Sequence, residues 1–300
     1  MRKDKIKTRL KKDKKKKFQT LKCAPTQTEK VDKKLKGKSC YGNEEIINMK
    51  NAWNENNSNK INSNNPEEIW KFLKNNLSNK CYNELCWLDG HTFNSKINKD
   101  IAMKSLFRPF SPESWKKKPY EWLSSVDIIK VMSQYEKKYK KFVFIGPSPI
   151  DFDDKKLFGT CVWEKLCKFD LSKYVGKKNK IGIIFNMDPH YKDGSHWMGL
   201  FVDLEKKFIF YFDSNGDKIP KRIKVLADRI IEQGNELNIN LKYMDNEGKE
   251  HQRRDGQCGI YSLYFIIELL KGTKNPEYFK NHRIPDEEMK NYRIKYYNSI

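Results

Sequence analysis

Between Tyr120 and Arg293 the apolar residues switch between strand-like and helical spacing, and the switches mark the elements. Lys180–Asn186 (KIGIIFN) is an unbroken apolar run of strand length, the pattern of a strand covered on both faces. Trp197–Leu204 and Phe208–Phe212 predict two more strands joined by the charged turn Glu205-Lys206-Lys207, and Phe142–Ile145 and Asn238–Met244 two shorter ones. Helical spacing runs through Ile223, Leu226, Ile230 and Ile231 in 220–237. It returns in Cys258–Leu270, where Ile260, Leu263, Tyr264, Ile267 and Leu270 form one stripe and Gly272 is the stop. Ser124 caps a further helix carrying Ile128, Ile129, Val131 and Met132. Helices segregated around a mixed sheet predict an α+β domain.

Upstream the pattern loosens. Asn65-Pro66-Glu67-Glu68 is a helix start, with an Asn cap, Pro at the first helical position and acids at the positive end of the dipole. That helix is expected to reach Leu77, with Ile69, Trp70, Phe72 and Leu73 inward. Residues 41–65 hold 10 Asn among 25 and read as a loose segment with a short helix at Glu44–Met49. Pro109, Pro112 and Pro119 break the chain. The expected organisation is a basic disordered tail (1–40), an Asn-rich segment with a small helical accessory region (41–118), and a catalytic domain (119–300).

Charge sharpens that division. Of the net +22, residues 1–40 carry +13. The block Lys11–Lys17 is a candidate arm for nucleic acid, an anionic surface or nuclear import, and equally fits a solubilising tail. Seven cysteines and no greasy N-terminus predict free thiols in a reducing compartment. Ile260–Leu270 is too short to cross a bilayer, so no membrane insertion is expected. Cys81-x4-Cys86 with His91, and Cys161-x5-Cys167, lack a familiar zinc spacing, and no metal or cofactor is expected.

The candidate chemistry lies in three places. Cys258 opens its helix, where the macrodipole favours the thiolate. With the hairpin turn centred near 204–205, His196 and Asp213 face each other at its open end, Cβ atoms roughly 4.5–5.5 Å apart. A carboxylate at that distance orients an imidazole; Asp217 and Asn215 are alternatives for the role. Gln252 lies six residues before Cys258 and is a candidate oxyanion donor, with Gln257 as competitor. Gly259 is expected to leave room for a substrate backbone. His190 and His251 read as loop residues.

His196-Trp197, then Asp213, then Gln252-x5-Cys258-Gly259, preceded by Trp122-Leu123, resembles the cysteine proteases of the SUMO-protease and adenovirus-protease superfamily. Within it the chain is most similar to proteases of large DNA viruses, African swine fever virus among them. That closer likeness rests on Trp-Leu-Ser-Ser-Val-Asp-Ile at 122–128, the 142–152 segment and the tail 283–293. The resemblance implies a papain-like fold, with Cys258 as nucleophile, His196 as general base, Asp213 as its orienter and Gln252 as oxyanion donor. Trp197 and Trp122 would line a narrow channel admitting small residues such as Gly-Gly. Gln257 stands where SUMO-cleaving members carry Asp, and Ser124-Ser125 where they carry Asn-Asp. The implied activity is endoproteolysis of viral structural precursors during virion maturation, in the host cytoplasm at assembly sites and in the virion. The alternatives are a protease for SUMO or ubiquitin-like modifiers, an acetyltransferase on the same triad, and a non-enzymatic nucleic-acid-binding virion protein on an inactive protease fold. Oligomeric state is left open.

Overall fold

The computed structural model describes residues 22–25, 34–36, 38–79, 81, 83–88, 101, 104–254 and 256–298, in two compact units, Met1–Leu106 and Phe107–Ile300. The block Lys11–Lys17 and His91 lie outside the described residues.

In the first unit, α1 (Asn43–Asn56) is far longer than the short helix expected, because its asparagines serve as local hydrogen-bonding groups rather than breakers. Asn54 brackets Ile61 by donating to its carbonyl and accepting from its N–H. Helix α2 (Pro66–Leu77) has the expected limits, with the Asn65 side chain accepting from Glu67 N. The short helix α3 (Glu84–Trp87) buries Glu84, whose carboxylate accepts from Cys40 N and Trp70 Nε1. Part of the expected disordered tail is folded: Ala24, Leu35, Ser39 and Cys40 are buried, and Ala24 N donates to Ser105 O.

The second unit is built on a five-stranded mixed sheet in the order β1-β2-β3-β4-β5: β1 (Phe142–Pro149), β2 (Lys180–Asn186), β3 (Trp197–Asp203), β4 (Phe208–Phe212) and β5 (Lys242–Asp245). The outer pairs are parallel and the inner two antiparallel. Strand β1 runs on through Pro147 and Pro149 at an edge, where missing N–H groups cost no ladder bonds. Helix α4 (Ser125–Lys138) starts at a capping box, in which Ser124 and Asp127 bond each other's backbone N–H. Between β1 and β2 lies the short helix α5 (Glu164–Cys167), and between β4 and β5 the long helix α6 (Lys221–Glu236).

Each face of the sheet carries its own core. Helix α6 covers one, packed among Ile223, Leu226, Ile230 and the residues Leu200, Val202 and Ile209. Helix α7 (Cys258–Lys271) covers the other, and Gly199 on β3 lets it approach so closely that a Cβ there would lie 2.7 Å from the Phe265 ring. The expected single apolar stripe understates this helix. Every residue from Cys258 to Leu270 is buried, because α4 and two C-terminal helices, α8 (Pro276–Asn281) and α9 (Asp286–Tyr296), pack over its outer side. The segment 107–118 belongs to this unit too: Trp115 meets Tyr297 edge-on and Ser111 N donates to Asn298 O. No helix among the described residues is long and apolar enough to cross a membrane.

Six of the seven cysteines are paired, as Cys23–Cys40, Cys81–Cys86 and Cys161–Cys167, which corrects the expectation of free thiols for all but Cys258. The two doublets that invited a zinc reading are thus disulfides.

Candidate active site

The sheet delivers its chemistry at one end of the hairpin. Asp203 pairs with Phe208 and Gly199 with Phe212, so the hairpin register lies two positions from the expected one, and the ladder extended by one step sets Asp213 against Met198. The turn spans 204–207 and is longer than the sequence indicated. A slip of two residues keeps each side chain on its face, and the diagonal neighbour remains within reach of a long side chain. His196 therefore still meets its partner: Nε2 donates to Asp213 Oδ1 at 2.9 Å.

Asp213 is fully buried, and its carboxylate is held from several sides. Oδ1 also accepts from Asn215 N at 2.7 Å, and Oδ2 accepts from the Tyr211 hydroxyl at 3.3 Å. Asn246, which sequence reasoning missed, fixes the backbone: its Oδ1 accepts from Asp213 N and its Nδ2 donates to Asp213 O. Asn215 thus supports the carboxylate rather than replacing it.

Cys258 is the first residue of α7 and is 3% exposed, with its sulfur at the helix's positive end. Burial alone would lower the pKa of His196, but hydrogen bonds to Asp213 and to Cys258, with their negative charges, reverse that and push it up to about 10. With Nε2 committed to Asp213, Nδ1 is the ring nitrogen left for the sulfur. The imidazolium is the favoured form at neutral pH.

Gln252 is tied to the same strand exit. Ser214 O accepts from both His251 N and Gln252 N, and the Ser214 hydroxyl donates to Gln252 Oε1 at 2.9 Å. Gln252 Nε2 donates one hydrogen to Arg254 O at 2.8 Å, which leaves its second N–H available. Gln257, the competitor, is buried with Oε1 unpartnered. Gly256 holds a φ of +88°, and a Cβ there would lie 2.4 Å from Tyr120 O, so the loop before Cys258 passes in backbone contact with the segment before Trp122.

Two expectations change, those for Gly259 and His251. Gly259 does not open space for substrate: a Cβ there would stand 3.0 Å from three Leu123 side-chain atoms, so the glycine serves packing of α7 on Leu123. Trp197 is 5% exposed, and its indole N–H donates to Leu123 O at 2.9 Å. It lines a cavity of about 500 Å3 with Ser125, Ile129, Pro147, Trp163 and His190, whereas Trp122 stands 46% exposed beside Gly256. His251 is a core residue, fully buried against Phe212 and driven down to about 4 by burial, so it is neutral at physiological pH. His190 stands apart from the cluster, its Nδ1 donating to the buried Asp151 at 2.7 Å.

A buried carboxylate, a histidine bonded to it and to a thiol, and that thiol at a helix start bring together the groups that thiol hydrolysis uses. The chain belongs to the Ulp1 protease family, whose C-terminal catalytic domain matches residues 127–300. It is 31% identical over 210 residues to a protein of Acanthamoeba polyphaga mimivirus named as a thiol protease, covering 68% of this chain and 66% of that relative. To a SUMO-1 cysteine protease of African swine fever virus it is 29% identical over 180 residues, covering 57% of this chain and 66% of the relative. The match thus spans just under two thirds of the length of either relative. The crystal structure of the African swine fever virus protease superposes with a TM-score of 0.65 at 20% identity, covering 94% of this chain and 98% of that one, which establishes the shared fold. Residues 127–300 thus form a catalytic domain of the cysteine-peptidase type.

Proposed function

We propose that this peptidase is a viral endopeptidase that cuts structural precursor proteins after small residues such as Gly-Gly during virion maturation. The observation that carries the reading is the His196 ring, bonded to Asp213 at 2.9 Å and to the thiol that opens α7. The Cys258 thiolate, paired with the His196 imidazolium, attacks the scissile carbonyl. The free N–H of Gln252 and the Cys258 backbone N–H receive the developing oxyanion. His196 then protonates the leaving amine, and water, activated by the same imidazole, hydrolyses the thioester. Asp213 keeps the imidazole oriented throughout. Trp197 and Trp122 flank the approach and restrict the residues before the cut to small ones.

The viral origin of the relatives supports action at assembly sites in the host cytoplasm and in the virion. Nucleic acid is the partner assigned to the block Lys11–Lys17, on charge alone. The likeness to a SUMO-1 cysteine protease of African swine fever virus favours a second reading, cleavage of SUMO-like modifiers. A paired fluorogenic assay separates the two, using a peptide with Gly-Gly before the cut and a full-length SUMO fusion. Cleavage of the peptide alone, lost in Cys258→Ala, supports precursor processing; efficient cleavage of the fusion alone establishes the second reading instead.

A further inference from the structure

The mechanism uses nothing from α9, yet this helix grips the loop that delivers both Gln252 and Cys258. At its start, Asp286 is 7% exposed, and its carboxylate accepts from Arg253 N at 3.2 Å and from the Tyr261 hydroxyl at 3.1 Å. Two turns later on the same face, Arg293 is 5% exposed. Its Nη2 donates to Gly256 O at 2.9 Å and its Nη1 to Glu121 O at 2.8 Å. One planar fork thus spans two backbone segments that touch each other, the loop into Cys258 and the residues just before Trp122.

The charge of that fork is as unusual as its position. Arg293 makes no ion pair with any described carboxylate; its guanidinium lies 4.1 Å from the Trp115 ring centroid. Burial draws its pKa down to about 10, still protonated at neutral pH, and negative charge on Cys258 is among the influences that raise it.

We propose that Arg293 is a positioning residue for the Cys258 nucleophile, fixing the Gly256 carbonyl and the segment before Trp122 with its fork. The proposal rests on Cys258 being the nucleophile. A lysine keeps the charge, but it cannot bridge two carbonyls in a plane, so Arg293→Lys isolates the fork.

The test uses the full 300-residue chain and a Gly-Gly peptide substrate, with thermal melts as the check on folding. Arg293→Met is expected to lower kcat by about 10-fold or more with KM little changed. Arg293→Lys is expected to lose comparable kcat. Added guanidinium ion is expected to restore part of the Met variant's rate, because Arg293 borders a cavity of about 250 Å3 shared with Trp115 and Tyr297. Wild-type kcat in a folded Met variant, or a loss confined to KM, overturns the proposal. If Met does not fold, wild-type kcat in the Lys variant overturns it and a 10-fold loss supports it. A Cys258→Ala protein that still cleaves the peptide refutes the nucleophile assignment itself, a result no Arg293 variant produces.

Discussion

Replacing Asp213 by Asn removes a charge while keeping the shape of the side chain. The structure places this carboxylate, fully buried, 2.9 Å from His196 Nε2, so its loss is felt almost unscreened. His196 rises from the ordinary 6.5 to about 10, which corresponds to about 5 kcal/mol at about 1.4 kcal/mol per tenfold. Asp213 and Cys258 share that effect, and burial opposes it. Assigning about half to the carboxylate gives about 2–3 kcal/mol, or roughly 10²-fold in kcat/KM. The sign follows from the direction of the shift. A raised pKa keeps the ring protonated, and able to protonate the leaving amine, until pH approaches 10; without the carboxylate that capacity is lost at lower pH. The pH profile of kcat/KM on a Gly-Gly peptide, measured for wild type and Asp213→Asn, is the assay. The variant is expected to be about 10²-fold slower, with its alkaline limb moved toward neutrality. A rate within twofold of wild type and an unmoved alkaline limb would refute the coupling between Asp213 and His196.

Cys258→Ala is expected to abolish cleavage with a melting temperature close to wild type, read by the same assay and by calorimetry, because only the nucleophile is lost. Gln252→Ala should cost roughly 10²–10³-fold in kcat with little change in KM, as a lost oxyanion donor does; a change confined to KM would remove Gln252 from that role. Gly256→Ala forces a side chain toward Tyr120 O at a φ of +88°, and should depress both kcat and melting temperature. Stability should fall as pH drops from 6.5 toward 4, since His251, at about 4 in the fold, resists a proton that the unfolded chain accepts. Denaturant melts across that range check this, and a stability curve equally steep in His251→Gln would assign the slope to other groups.

Much of this architecture is legible in the order of residues because local chemistry and tertiary context agree. Lys180–Asn186, Phe208–Phe212 and Pro66–Leu77 have the expected limits, the last with the Asn65 cap at its start. The hairpin register was misjudged because the turn's length depends on Leu204, apolar yet outside the ladder. Helix α9 went unrecognised although its ends carry the signal: Pro285, three acids in the first turn, and Arg293 and Lys295 in the last. Its spacing shows no strong apolar stripe, since two of its inward residues, Asp286 and Arg293, are charged. Gly259 was misread because a glycine beside a nucleophile has two uses, and only packing against Leu123 distinguishes them. Asn246 and Ser214 gave no signal at all: their partners are groups on other elements, and spacing along the chain does not encode that.

The cysteine pairing has a consequence for reagents. With six cysteines closed into disulfides, the chain presents a single sulfhydryl in non-reducing buffer, and that sulfhydryl is Cys258. One equivalent of an alkylating or chromogenic thiol reagent then counts competent molecules directly. The stoichiometry of label against residual cleavage serves as an active-site titration without any engineered probe. A reducing agent, added by habit to keep such enzymes awake, would raise the count to seven and obscure it.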